Sequence, residues 1–391
     1  MRSQPRIGVA CLNFRNAVSG TDTALFQLAV HWRKWCDLTV FHSTLAPQWR
    51  LDGVRYVRVA SSPIHQFGIQ ARTYAATWAA QARVHPPHNS MDRIYATSAH
   101  FMPCDVAAVH FLATEYKKSL RRAGRPLDVR AFPRRWYELV NFGMAARWEK
   151  KVYPRAIAAG VRMQAVSADI AARLRNTYPA VRVEVIPNAV DVERFRIAEE
   201  PGFAREIDQK AGWAPDSVKL LFVGSGWERK NLRALVEALA RLPPRVVGLV
   251  VGTGPVPEYK RFAESLGVGR RIFFAGERDD VEKFYRVADG FVLPSLFEAM
   301  PMATLEAMAS GLPVLLYPYP GHEMVLRDGF NGFLVASPAE IAERVAAHLM
   351  CPDGRTRLRD GARATALEFA PEPIARRTLD YVLNSPQCEA R

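Results

Sequence analysis

The chain has 391 residues, 49% of them hydrophobic and 24% charged, a balance typical of a globular protein long enough for two domains. This composition excludes wholesale disorder. No apolar stretch approaches the roughly 20 residues that span a bilayer. The formal charge of +14 favours an anionic partner, such as a nucleotide diphosphate, a phosphorylated glycan, an anionic membrane surface or nucleic acid.

The five cysteines are scattered, and none forms a CxxC pair. This usage predicts neither a disulfide framework nor a zinc site and is typical of a reducing cytosol. The N-terminus has a short apolar run broken by Asn13 and Arg15, which we interpret as a first strand and not as a signal peptide. We therefore expect a cytoplasmic protein, either soluble or peripheral to a membrane.

In the first half, strand-like apolar runs alternate with helical segments. The first run, Ile7–Leu12, leads through a polar turn to a helix that begins near Thr21 and ends near Trp35. A glycine in such a turn lets the backbone approach a phosphate, so Gly20 is a candidate binding residue, although a plain turn glycine is nearly as good an interpretation. Further strand-like runs are Leu38–Phe41, Val54–Val59, Arg93–Ala96, Val106–Val109, Met163–Val166 and Val183–Ile186.

In the second half, the charged stretch Glu199–Ser217 contains Pro201, Gly202 and Pro215 and reads as a loose stretch. Strand-like runs then follow at Lys219–Val223, Val246–Val251, Ile272–Phe274, Phe291–Leu293, Pro313–Leu316 and Phe333–Val335. The tail Pro371–Asn384 has a helical pattern. This succession predicts an α/β protein with doubly wound parallel sheets in domains 1–198 and 199–370, followed by a C-terminal segment 371–391.

The stretch Phe291–Pro318 reads as one βαβ unit, with its helix at Met302–Ser310. Glu298 lies in the loop after the first strand, and Glu306 lies within the helix. Ligands of open α/β sheets bind beyond the carboxyl ends of the strands, so Glu298 can meet a ligand at the helix N-terminus. There we expect unpaired backbone N–H groups at Met302, Ala303 and Thr304.

A glycine-containing loop, Gly224-Ser225-Gly226, follows a predicted strand and opens a helix. Arg229 occupies the position where a dinucleotide fingerprint needs its third glycine, so nicotinamide binding is disfavoured. Arg229 and Lys230 could bind phosphate, because arginine forks onto two oxygens and lysine adds a point charge. The alternative is a pair of solvated surface cations.

The sequence predicts neither a catalytic metal nor a cofactor. No Asp-x-Asp pair ends a strand, and the nine histidines show no ligand spacing. Asp279 and Asp280 are interpreted as first-turn charges of a helix. If a reaction at this site leaves negative charge on a departing group, cationic side chains and a helix N-terminus would have to stabilise that charge.

These stretches resemble the GT-B glycosyltransferases of family 4, which are retaining and use nucleotide sugars. The family pattern is Glu, seven residues, Glu and A-M-A-x-G-x-P-V, and it is matched by Glu298, Glu306, Ala307–Ala309, Gly311, Pro313 and Val314. Ala299 stands where the family usually has glycine. The adjacent pair Arg229–Lys230 most resembles the form that this motif takes in lipopolysaccharide-core glucosyltransferases. The resemblance implies two Rossmann-like domains facing across a cleft, with a C-terminal helix crossing back to the first.

The resemblance also implies roles for single residues. Glu306 would hold the ribose hydroxyls, Glu298 the donor sugar hydroxyls, and Arg229 with Lys230 the diphosphate. His110 ends an apolar strand and matches a histidine that many members turn towards the donor sugar, although a lone histidine there is often structural. The other residues expected to contact the donor are Gly20, Gly224, Gly226, Gly276, Arg278, Met302, Ala303 and Thr304.

The implied activity is transfer of a hexose from a nucleoside diphosphate sugar, with uridine favoured, to a glycan acceptor in lipopolysaccharide or exopolysaccharide biosynthesis. A GDP-mannose-dependent mannosyltransferase of the same fold remains open. So does a non-enzymatic nucleotide-sugar sensor. A nucleic-acid-binding protein is disfavoured, because the basic residues lack an RNA-binding sheet motif or a helix-turn-helix signal.

Residues 117–155 carry twelve Lys or Arg against three acids, interleaved with aromatic and aliphatic residues. Such a mixture is expected of a basic amphipathic surface that rests on anionic lipid. A solvated charged face is the alternative. We predict peripheral binding to the inner face of the cytoplasmic membrane and a lipid-borne, phosphorylated glycan acceptor.

Overall fold

The structure is a computed structural model that describes residues 4–14, 20–45, 47–61, 67–84, 90–116 and 132–385. These residues form two compact units. One comprises the described residues within 1–118, 136–189 and 371–385, and the other comprises residues 132–135 and 190–370. The contacts thus divide the chain after Ala189, whereas the sequence suggested a boundary at residue 198.

Among the described residues, the first unit is built on a seven-stranded parallel sheet of order β3-β2-β1-β4-β5-β6-β7. The strands are β1 (Arg6–Phe14), β2 (Asp37–Leu45), β3 (Arg55–Arg58), β4 (Arg93–Ala96), β5 (Val106–Val109), β6 (Arg162–Ala165) and β7 (Val183–Val185). The helices between them are α1 (Gly20–Trp32), α2 (Phe67–Val84), α3 (Phe132–Ala158) and α4 (Ala168–Thr177). The strands β1 and β5 are almost entirely buried, as expected where helices cover both faces of a parallel sheet.

The second unit, in the part that the structure describes, has a six-stranded parallel sheet of order β10-β9-β8-β11-β12-β13. Its strands are β8 (Val218–Val223), β9 (Val246–Val251), β10 (Ile272–Gly276), β11 (Gly290–Leu293), β12 (Val314–Leu316) and β13 (Gly332–Leu334). Its helices are α5 (Pro201–Ala211), α6 (Leu232–Leu239), α7 (Val256–Ser265), α8 (Val281–Val287), α9 (Met302–Ala309), α10 (Pro338–Arg344) and α11 (Pro352–Leu367). Successive strands are added on one side of β8 as far as β10, and then on its other side from β11 to β13. The point where this order switches lies between β8 and β11, and ligands of such sheets bind there.

The predicted α/β class with two doubly wound parallel sheets is confirmed. Every strand expected from the sequence is present, and three of them match residue for residue: β4, β5 and β9. These are short apolar runs with clear polar or glycine boundaries, the pattern from which buried strands are most readily recognised.

The interpretation of Glu199–Ser217 as a loose stretch is wrong, because α5 occupies most of it. Pro201 lies in the first turn, where the missing N–H costs no helical hydrogen bond. Gly212 ends the helix in the left-handed conformation, with φ of 70°, and its N–H donates to the carbonyl of Asp208. The proline and the glycine therefore mark the two ends of a helix.

A last helix, α12 (Pro371–Leu383), packs within the first unit. Trp32 Nε1 donates to the carbonyl oxygen of Ala375 at 2.8 Å, and the Tyr381 hydroxyl donates to that of Met163 at 3.0 Å. These bonds tie α12 to α1 and to β6. No helix among the described residues has the length and apolar character that crossing a bilayer requires.

Candidate active site

Three neighbouring strands of the second unit end at glycines with positive φ. Gly224 follows β8 with φ of 135°, Gly252 follows β9 with φ of 122°, and Gly276 ends β10 with φ of 72°. A Cβ on Gly252 would lie 2.5 Å from the carbonyl oxygen of Gly224, and one on Gly224 would lie 2.5 Å from Lys230 Cε. Only glycine permits this close approach at the carboxyl edge of the sheet.

Trp227 fixes the loop that follows Gly224. Its indole Nε1 donates to the carbonyl oxygen of Gly224 at 2.9 Å, and only 1% of the residue is exposed. A Cβ on Gly254 would lie 2.2 Å from the indole ring, so the loop after β9 packs directly against it. The loop thereby presents Arg229 and Lys230 just before α6 begins.

The loops after β8 and β11 meet because these strands are neighbours in the sheet. Oε1 of Glu298 accepts from Arg229 Nη1 at 2.7 Å, from Lys230 Nζ at 3.0 Å and from Ser295 Oγ at 3.1 Å. The same Arg229 nitrogen donates to the carbonyl oxygen of Phe297 at 2.7 Å. We call Arg229, Lys230 and Glu298 the charge cluster.

Little water reaches the charge cluster, since the exposed fractions of the Arg229, Lys230 and Glu298 side chains are 19%, 11% and 12%. Burial alone would raise the pKa of Glu298, but the charges and hydrogen bonds of Arg229 and Lys230 lower it to about 2. Burial lowers the pKa of Lys230, and the carboxylate of Glu298 opposes that shift. Two cations against one carboxylate leave positive charge for an anion in a site where screening is weak.

Glu306 is held by a tyrosine from another helix. The hydroxyl of Tyr285, on α8, lies 2.8 Å from Glu306 Oε2 and 3.3 Å from the carbonyl oxygen of Ala303. Burial raises the pKa of Glu306, while the bond from Tyr285 and the charges of Arg194 and Lys230 act to lower it. Tyr285 itself is fully buried, so its hydroxyl has a fixed position.

The first turn of α9 follows Glu298 by four residues. Met302 and Ala303 stand where backbone N–H groups have no partner within the helix. The expectation of an unpaired N–H at Thr304 is wrong, because this group donates to the carbonyl oxygen of Pro301 at 3.2 Å. The first turn closes on the carbonyl of the N-cap residue Pro301, and this bond occupies the backbone N–H of Thr304.

The remaining predicted residues have other surroundings within their own units. Arg278 is exposed and pairs with Asp280 through bonds of 2.8 and 2.9 Å. In the first unit, Gly20 is the exposed first residue of α1. His110 directly follows β5, and burial lowers its pKa to about 4, which keeps the imidazole neutral near pH 7.

Three residues of the site have no signal in the sequence: Ser295, Trp227 and Tyr285. Each makes its contact through a side chain that belongs to no motif, and Tyr285 lies 21 positions from Glu306. In the described part of the chain, no group of three or more His, Cys, Asp or Glu side chains could hold a metal ion.

The known proteins to which this chain is similar are glycosyltransferases. Residues 203–365 match the family described as glycosyl transferases group 1. A UDP-Gal:alpha-D-GlcNAc-diphosphoundecaprenol alpha-1,3-galactosyltransferase of Escherichia coli is 32% identical over 40% of this chain and 41% of that enzyme. A D-inositol 3-phosphate glycosyltransferase of Frankia alni is 33% identical over 57% of this chain and 58% of that enzyme. The matched region therefore spans about half the length of these relatives.

Among solved structures, WaaG, a glycosyltransferase involved in lipopolysaccharide biosynthesis, has a TM-score of 0.74 at 21% identity. The match covers 97% of this chain and 100% of that one. The GT-B fold and the resemblance to the group 1 and family 4 glycosyltransferases are thereby confirmed.

Proposed function

We propose that this protein, whose residues 203–365 match the group 1 glycosyl transferases, is a retaining glycosyltransferase that moves a hexose from a nucleoside diphosphate sugar to a glycan acceptor. The observation that carries the proposal is the charge cluster, in which Arg229 and Lys230 converge on one oxygen of Glu298. A departing nucleoside diphosphate gains negative charge in the transition state, and preorganised cations in a water-poor site stabilise it strongly.

In this proposal Arg229, Lys230 and the first-turn N–H groups of Met302 and Ala303 hold the diphosphate. The ammonium group of Lys230 has three N–H donors, and the structure shows one hydrogen bond from it to Glu298. The bonds of Glu298 recorded among the described residues all end on Oε1, which leaves Oε2 to accept from a hydroxyl of the donor sugar. Glu306, oriented by Tyr285, accepts from the ribose hydroxyls.

The reaction retains configuration if the acceptor hydroxyl attacks the anomeric carbon on the face from which the diphosphate leaves. The bond from that carbon to the phosphate oxygen breaks, and the bond to the acceptor oxygen forms. The acceptor proton passes to the departing phosphate oxygen. We assign no protein nucleophile. His110 is proposed to contact the donor sugar on the strength of the resemblance and of its neutral imidazole.

A uridine donor is favoured by the adjacent Arg-Lys pair and by the UDP-galactose in the name of the E. coli relative. A phosphorylated acceptor is supported by the names of both relatives, which contain a diphosphoundecaprenol and an inositol 3-phosphate. We therefore propose a lipid-borne, phosphorylated glycan as the acceptor, in lipopolysaccharide or exopolysaccharide assembly.

Such an acceptor would place the protein at the inner face of the cytoplasmic membrane through residues 117–155. Residues 117–131 lie outside the described part of the chain. In the described part, one face of α3 exposes Val140 and Met144, at 40% and 37%, followed at helical spacing by Arg147 and Lys151. An exposed face that is apolar at one end and basic at the other suits a membrane interface.

The proposal is tested by incubating the purified protein with UDP-, GDP- and ADP-hexoses, with and without a phosphorylated glycan. We expect slow hydrolysis of one UDP-hexose and faster transfer when the acceptor is present. Nucleotide binding without turnover of any of the sugars would instead indicate a nucleotide-sugar sensor.

A further inference from the structure

The first unit contains a cavity of about 580 Å³ that opens to solvent. It lies at the amino ends of β6 and β7, the edge opposite the one at which His110 follows β5. Three arginines line it, together with Glu184, Tyr381 and Asn384. The arginines are Arg162, Arg175 and Arg182.

The fold brings these arginines together from three elements. Arg162 is the first residue of β6, and Arg182 directly precedes β7, which pairs with β6 in parallel. Arg175 lies in the last turn of α4. Because α4 starts beyond the carboxyl end of β6, its last turn returns to the amino edge of the sheet.

Two of the guanidinium groups are held in place. The Arg162 guanidinium stacks on the ring of Tyr381, with 3.8 Å between Cζ and the ring centroid. Its Nη1 donates to the carbonyl oxygens of Tyr381 and Asn384 at 3.4 and 3.3 Å. Arg175 Nη2 donates to the carbonyl oxygen of Val183 at 3.1 Å. A guanidinium fixed in this way loses little side-chain entropy when it binds an anion.

The charge of the cavity is not balanced by its own residues. Glu184 is the acid that lines it, and its Oε1 is already paired with Arg377 Nη2 at 3.0 Å. Within the described ranges, Arg162, Arg175 and Arg182 form no ion pair. Three positive charges therefore face one concave space with no carboxylate assigned to them.

We propose that this cavity is an anion site that binds the phosphate group of a phosphate ester. Guanidinium forks match the geometry of phosphate oxygens, and converging arginines therefore suit that group. The site is separate from the charge cluster, which belongs to the second unit and follows the opposite, carboxyl ends of its strands. The phosphate can belong to a small soluble ester or to the headgroup of an anionic lipid.

The test compares the full-length protein with Arg175→Gln/Arg182→Gln and with Arg72→Gln, a control that removes one exposed arginine of α2. Inorganic phosphate is titrated calorimetrically at constant ionic strength, and UDP is titrated as a check on the second unit. We expect the double variant to bind phosphate about tenfold more weakly or worse, as for lost hydrogen bonds to a charged group, with unchanged UDP affinity. Phosphate bound at the charge cluster would be common to all three proteins and cancels in the comparison.

Flotation with phosphatidylcholine vesicles, with and without phosphatidic acid, identifies the source of the phosphate. Binding to phosphatidic acid that depends on Arg175 and Arg182 assigns the site to a lipid headgroup, and phosphate binding without it assigns the site to a small ester. If neither phosphate nor phosphatidic acid distinguishes the double variant from Arg72→Gln, the anion site is refuted. A protein that binds no UDP but shows this difference would contradict the proposed function and leave the anion site standing.

Discussion

The hydroxyl of Tyr285 lies 2.8 Å from Oε2 of Glu306 and joins two helices that lie on either side of β11 in the chain. This bond favours the charged form of a carboxyl whose pKa burial raises. If Glu306 holds the ribose as a carboxylate, the bond from Tyr285 sets both its orientation and the pH range in which it works.

We expect Tyr285→Phe to raise the KM for the donor by up to about tenfold, because one hydrogen bond to a charged group is lost while the ring still packs. The pKa of Glu306 should rise further. Protonation then occurs at higher pH, so the acid limb of kcat/KM should move to higher pH. A pH profile identical to that of the wild type would show that the bond has no part in donor binding.

Gly224→Ala should weaken donor binding, and the loss should be larger than the loss of folding stability alone would cause. The new Cβ would lie 2.5 Å from Lys230 Cε and displace that flexible side chain. Gly212→Ala is the matched control, since it also stands at positive φ but has open space around its Cβ. Gly212→Ala should lower the free energy of unfolding by about 1 to 2 kcal/mol, and Gly224→Ala by at least as much, because φ of 135° lies outside the left-handed helical region. Only Gly224→Ala should weaken UDP binding in calorimetry.

Treatment with a chelator should leave most of the transfer rate intact. In the described residues the positive charge near Glu298 comes from Arg229 and Lys230, and no carboxylate or histidine group there suits a metal ion. The measurement is the initial rate after EDTA treatment and desalting. Loss of activity that Mg²⁺ or Mn²⁺ restores would mean that a metal ion meets the leaving-group charge.

The protein should float with anionic vesicles at low salt and dissociate as salt rises, since each surface cation near anionic lipid is worth about 1 kcal/mol and is screened by salt. The double variant Arg147→Glu/Lys151→Glu, on the exposed face of α3, should float less. Val140→Ser, on the same face, tests how much the apolar part of that face contributes to vesicle binding. Equal flotation with neutral vesicles would exclude the electrostatic attachment.

The sequence is sufficient to predict the strands, because buried parallel strands are continuous apolar runs that local pattern reveals. It also marks Arg229, Lys230 and Glu298 as candidates. Their meeting depends on β8 and β11 being neighbours in the sheet, which no local pattern encodes. The resemblance to a known family supplied that step.

Other features depend on tertiary contacts and could not be predicted locally. Tyr285 reaches Glu306 from a short helix without a motif, and Ser295 reaches Glu298 through the turn of the loop itself. The sequence pattern around Pro201 indicates a loose stretch, yet Pro201 lies in the first turn of a helix that Gly212 ends. The same residue types favour loops and helix ends, so their local signal is ambiguous.

The most direct test is the turnover of Lys230→Ala against Lys260→Ala, a control that removes an exposed lysine of α7. Steady-state transfer is measured with the UDP-hexose that the wild type uses. If Lys230 meets charge that develops on the leaving diphosphate, Lys230→Ala should lower kcat by about 10²-fold or more, the scale of losing one oxyanion donor, while Lys260→Ala is unchanged. A Lys230→Ala enzyme with wild-type kcat and only a raised KM would contradict a role for the charge cluster in the transition state.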